Sequence, residues 1–124
     1  MSIAEWIVLA LALLPYVIVG FAKARPDLDN RKPRLQLPDT PGWRGRIYAA
    51  HLNTFEAFPP FAAGVLIAEW HHASQARIDA LALGFLVVRL IYPILYARDL
   101  ATARSVLWSV GMLLVIALYV TAAA

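Results

Sequence analysis

Four apolar runs divide the chain, at about residues 3–21, 46–69, 75–96 and 104–122. Each, as a helix, is long enough to cross about 30 Å of hydrocarbon. Between the first two lies one long polar stretch, Lys23 to Gly45. There Lys23, Arg25, Arg31, Lys32, Arg34 and Arg44 are interspersed with Asp27, Asp29 and Asp39 and broken by Pro26, Pro33, Pro38 and Pro41. A helix does not continue through that density of proline, so the segment belongs in water or among headgroups. The pattern predicts an all-α integral membrane protein, a four-transmembrane-helix bundle forming a single domain over residues 1–124. The excess of Lys and Arg beside the spans predicts that loop 23–45 is cytoplasmic and that both termini lie outside. The first run carries Glu5 and neither a basic leader nor a small-residue cleavage site, and is expected to be a retained span.

Composition strengthens this picture. The chain is 61% hydrophobic and 15% charged, with a mean hydropathy of +0.65, too apolar for an ordinary soluble domain. The net charge of +3 resides largely in the polar loop, where topology accounts for it and nucleic acid does not. No cysteine is present, so disulfides and thiolate metal sites are excluded and any thiol chemistry needs a thiol from a ligand. The three histidines have no metal-ligand spacing, and the pair His71-His72 reads as an interfacial turn. Trp6, Trp43 and Trp70 suit interface anchors.

Polar residues inside the apolar runs are the candidates for function, because ionisable groups at membrane depth are costly. At about 100° per residue, Arg46, Ala49, Asn53, Glu56 and Pro60 fall on one stripe of the second run, with His51 on the other side. Phe85, Arg89, Tyr92 and Tyr96 share a face of the third. Arg104, Trp108, Gly111, Val115 and Tyr119 are roughly in line on the fourth, with Ser105 at the edge. Counting inward at about 1.5 Å per residue, Asn53, Glu56 and Arg89 lie roughly 10–15 Å from the cytoplasmic ends of their helices. The polar groups therefore cluster in one half of the membrane, which predicts a pocket and argues against a pore. Three guanidiniums, a carboxylate, an amide and several phenols suit a small zwitterionic or anionic ligand. Four short helices leave little room for it inside one subunit, which favours a site between protomers of a homo-oligomer.

The stretch Ala-His51-Leu-Asn53-Thr-Phe-Glu56-Ala-Phe-Pro-Pro60-Phe61, then Arg89-x-x-Tyr92-x-x-x-Tyr96 and Arg104-Ser105-x-x-Trp108, resembles the MAPEG family, the membrane-associated proteins in eicosanoid and glutathione metabolism. The likeness covers essentially the whole chain. It implies a homotrimer in the membrane, here of a bacterial type in the inner membrane, with glutathione held between subunits near the cytoplasmic side. By the same resemblance, Arg104 and Ser105 stand near the glutathione sulfur as the catalytic pair. Arg46, Asn53, Glu56, Arg89, Tyr92, Tyr96 and Trp108 would hold the tripeptide or shape the acceptor side. Ala49 and Leu52 stand where well-studied members carry arginine, a tyrosine at Tyr92 replaces the histidine of some, and Trp108 replaces a tyrosine.

The activity so implied is a glutathione-dependent transferase or peroxidase acting on a lipophilic electrophile that enters among membrane lipids. The alternative is a non-catalytic trimeric module that binds a lipid headgroup or other anion in the same pocket. A third reading, a small proton-coupled exporter, rests on the single membrane carboxylate Glu56.

Overall fold

A computed structural model describes residues 1–124 and contains helices and turns only. Four long helices, α1 (Ile3–Lys23), α3 (Gly42–Trp70), α4 (Gln75–Ala97) and α5 (Ala101–Ala123), are accompanied by one short turn of helix, α2 (Pro33–Gln36). Three of them are long and apolar enough to cross a membrane: α1, α4 and α5, with mean hydropathy 2.2, 2.0 and 2.2. The second run is the exception to the expected four. Its helix is the longest at 29 residues, but Arg44, Arg46, Glu56 and Glu69 lower its apolar character.

Local sequence explains the helix ends. At the start of α1, the Ser2 hydroxyl accepts from the Glu5 amide at 3.0 Å and the Glu5 carboxylate accepts from the Ser2 amide at 2.7 Å, a reciprocal cap. α3 begins four residues before the expected span, behind Pro41 and a left-handed Gly42 (φ 73). Gly45 follows because a Cβ there would collide with the Thr40 carbonyl oxygen. The polar loop is not wholly given to water. Pro33, at the first helical position where no amide partner is lost, starts α2, and Leu37 just beyond it is buried against Ile18, Ala22 and Ile47.

α3 is the central element, packing against α1, α4 and α5. The interior has two apolar clusters. The larger, built on Leu11, Phe61, Val65, Ile78, Phe85 and Leu118, contains a stacked Phe61–Phe85 pair with ring centroids 4.4 Å apart. The smaller, Ile18, Ala22, Leu37 and Ile47, lies at the end carrying the loop. Between them, counted along each helix, come the polar groups His51, Thr54 and Arg89. Only 26 of 124 residues are buried, and many large apolar side chains point outward, toward lipid or further copies of the chain. α5 buries only Gly111, Val115 and Leu118.

Candidate functional site

The polar layer is organised by Arg89, which is 2% exposed. Its Nη2 donates to Thr54 Oγ1 at 2.8 Å and to Asn53 Oδ1 at 3.1 Å. Thr54 in turn donates to the Ala50 carbonyl one turn back, at 2.8 Å. The guanidinium carbon lies 4.4 Å from the centroid of the Tyr92 ring, whose face is attractive to a cation. No carboxylate pairs with this buried charge, and its Nε has no hydrogen-bond partner. Arg89 engages the Asn53 oxygen, so the Asn53 amide offers its Nδ2 donors to a ligand.

Asn53 and Tyr92 open onto a cleft of about 290 Å³ whose other walls are Arg104, Ser105, Trp108 and Ser109. Five of the nine residues singled out by sequence thus meet on one surface, contributed by α3, α4 and α5. Arg104 lies with its guanidinium carbon 4.2 Å from the Tyr96 ring centroid, held against α4. The same residue also borders a second, smaller cavity of about 180 Å³, together with Arg46, Tyr96 and Asp99.

The residues 3–124 match the family model described as the MAPEG family. The chain belongs to the MAPEG family. With its three apolar helices, it is an integral membrane protein. Among curated proteins and among solved structures nothing matches this MAPEG chain.

The remaining site residues of this MAPEG protein are placed as follows. Arg46 has both Nε and Nη2 on the Ala97 carbonyl, at 3.1 and 3.0 Å, where the last turn of α4 leaves carbonyls free. It serves the α4–α5 junction and does not reach Asn53's cleft. Glu56 is exposed on α3 and makes neither a hydrogen bond nor an ion pair within the protomer. Arg89 stands behind the cleft, bonded to the Asn53 side chain. His51 lies on the opposite side of α3, buried, with its Nδ1 donating to the Pro15 carbonyl at 2.7 Å.

Two members of the site were absent from the sequence reading. Ser109 lines the cleft one helical turn after Ser105, and that four-residue spacing was a usable signal. Thr54 had none, because its importance comes from an arginine 35 positions away on another helix.

Proposed function

We propose that this MAPEG chain is a glutathione-dependent transferase or peroxidase acting on a lipophilic electrophile that arrives from the bilayer. In this reading α3 crosses the membrane with the other three long helices, and three such four-span protomers form a homotrimer in a bacterial inner membrane, with loop 23–45 cytoplasmic.

The observation that carries the reading is the meeting of Arg104 and Ser105 with Asn53 and Tyr92 on one cleft. The donor set fits an anionic peptide thiol: a guanidinium, a free hydroxyl, an amide NH₂ and, behind them, a buried guanidinium with an orphan Nε. Glutathione supplies the thiol, and a thiol ordinarily titrates at about 8.5. Arg104, by charge, and Ser105, by hydrogen bonding, favour the thiolate over the thiol. Asn53 holds the peptide through Nδ2, and Arg89 fixes the orientation of Asn53. Tyr92 and Trp108 provide the apolar side on which an acceptor rests. Glu56, exposed and unpaired, is the group left to receive an ammonium. The cleft's 290 Å³ sits at the small end of the roughly 300–1,000 Å³ of ligand pockets. A second copy completing the enclosure accounts for both facts.

One observation favours the non-catalytic alternative. Arg46 is engaged with the Ala97 carbonyl and Ala49 and Leu52 carry no charge, so few cations remain for the two carboxylates of a tripeptide. A simpler anion or a lipid headgroup asks for less.

Isothermal titration of the detergent-solubilised protein with glutathione, with Arg104→Ala as the comparison, tests the proposal. Saturable binding at millimolar concentration, lost in Arg104→Ala, supports it. Absence of saturable binding overturns it.

A further inference from the structure

The seam between α1 and α4 holds an open groove of about 450 Å³ that shares no lining residue with the Arg104 cleft. Two helices packed side by side leave a trough where their facing side chains are short. Here α4 presents Pro93 and Ala97, one turn apart, and neither reaches across to α1. Ile18 and Ile47, both buried, form the base. The rims are open to the surroundings: Val17 and Phe21 of α1 are each 59% exposed, and Leu90 and Ile94 of α4 are 49% and 52% exposed. At the end nearest the polar loop stand Trp43, in the first turn of α3, and Arg98, just past the end of α4. Arg98 is exposed, and its side chain makes neither a hydrogen bond nor an ion pair within the protomer. A second cation lies beside it in the same region, the Arg44 guanidinium, 4.5 Å from the Trp43 ring centroid and donating to the Ala24 carbonyl at 3.1 Å. No acid lines the groove. Asp99, which follows Arg98 in sequence, lines the separate cavity with Arg46 and Arg104, and Asp27 pairs with Arg25 at 3.4 Å.

We propose that the α1–α4 seam is a binding site for an anionic phospholipid, with one acyl chain in the trough and the phosphate on Arg98. The dimensions match a lipid standing in one leaflet. From Leu14 to Phe21 on α1, and from Leu90 to Ala97 on α4, the walls run seven residues of helix, about 10 Å. That lies within one leaflet's half of a hydrocarbon core about 30 Å thick. Both helices run toward the loop end, so Leu14 and Leu90 stand among acyl chains while Trp43 and Arg98 stand at headgroup level, where an indole with one wet edge is favoured. The Arg98 guanidinium has its donors free for a phosphate, which it can engage through two hydrogen bonds at once. A zwitterionic lipid fits the trough equally well but brings its own cation to a mouth that already holds Arg98 and Arg44 and lacks an acid. Charge therefore decides between the two.

The test uses the full chain in nanodiscs of phosphatidylcholine containing a minor fraction of phosphatidylglycerol. Native mass spectrometry after release counts each lipid retained per protomer. The wild type is expected to retain phosphatidylglycerol in preference to phosphatidylcholine. Arg98→Gln should lower that preference by roughly fivefold, from the usual contribution of one surface cation to anionic-lipid binding. Arg31→Gln removes the same charge from the exposed loop and should leave the preference unchanged. Ala97→Leu fills the trough without altering charge and should lower the amount of phosphatidylglycerol retained. Equal retention of the two lipids by the wild type overturns the site, as does an equal loss in Arg31→Gln or wild-type retention in Ala97→Leu. The chain has no cysteine, so Ile94→Cys reports contact between copies cleanly. Disulfide cross-linking through it would show a second copy covering the seam and would also overturn the proposal.

Discussion

Arg89 of α4 and Thr54 of α3 are joined by a 2.8 Å hydrogen bond in the interior, between two apolar clusters and without a carboxylate nearby. Thr54 is 2% exposed, and its hydroxyl accepts from Arg89 while donating to the Ala50 carbonyl. Thr54→Val keeps the shape and removes both bonds, leaving a guanidinium donor unsatisfied in a dry place. The expected loss is about 1–3 kcal/mol of stability. Thr54→Ser should stay near wild type. Thermal unfolding of the purified protein in detergent compares the two.

Arg89→Met separates stability from ligand binding. A buried charge without an ionic partner contributes little to stability, and a hydrophobic side chain of similar volume is often neutral or better. The melting temperature is expected not to fall. Asn53 nevertheless loses the donor that holds its oxygen, so glutathione affinity should weaken by roughly tenfold, about one hydrogen bond's worth. A steep drop in melting temperature with unchanged affinity would reverse this account.

At the opposite end of the molecule, Asp79 of α4 accepts from the Ala4 amide in the first turn of α1 at 2.9 Å and from Gln75 Nε2 at 3.0 Å. It acts as a helix cap supplied from another helix. Asp79→Ala should cost about 1 kcal/mol, as the loss of an N-cap does. Asp79→Asn keeps an acceptor oxygen and should cost less. Hydrogen exchange of the amides at the start of α1 provides the local readout.

The helices were legible because apolar runs of span length leave little else for the backbone to do in a membrane. The faces were legible too. Asn53, Tyr92, Arg104, Ser105 and Trp108 came from three separate stripes and line one cleft. Partners were not legible. A stripe gives direction around a helix, but the neighbour that fills that direction depends on how the helices dock. Arg46 shares the stripe of Asn53, yet the free carbonyls ending α4 lie nearer and take its guanidinium. Leu37 fell within a charged, proline-rich stretch, and its burial follows from α2 folding back on α1, which local composition does not encode.

At Gly64 the backbone of α3 comes close to α5. A Cβ there would lie 3.1 Å from Tyr119 Cε2 and 3.2 Å from Leu118 Cβ, and Tyr119 is held by donating its hydroxyl to the Pro60 carbonyl at 3.0 Å. Because Leu118 Cβ is close to the backbone, it cannot turn aside. Gly64→Val should therefore overpack the contact and cost about 1–3 kcal/mol. Gly84 is the contrast: its added Cβ would meet only the end of Leu114, at 3.4 Å. Gly84→Ala should be neutral or stabilise by up to about 1 kcal/mol through helix propensity. Chemical or thermal unfolding should show a loss of stability in Gly64→Val and none in Gly84→Ala.

Ser105 and Ser109 line the same cleft one turn apart, but they are not equivalent. Ser109 donates its hydroxyl to the Ser105 carbonyl at 3.1 Å, whereas the Ser105 hydroxyl has no partner in the protomer. Only Ser105 is free to donate to a sulfur. A hydrogen bond to a charged acceptor contributes about 1.5–3 kcal/mol, so Ser105→Ala should lower glutathione-dependent turnover by roughly ten- to a hundredfold. Binding should change little, since the peptide is held by other groups. The bound thiol's titration, followed by thiolate absorbance, should move up toward the free value of about 8.5. Ser109→Ala should leave both turnover and titration near wild type. Arg104→Ala should lose binding and thiolate together, because it removes a charge as well as a donor. Equal effects from the two serine variants would mean that the cleft merely needs polar lining, and the assignment of Ser105 to the sulfur would fail.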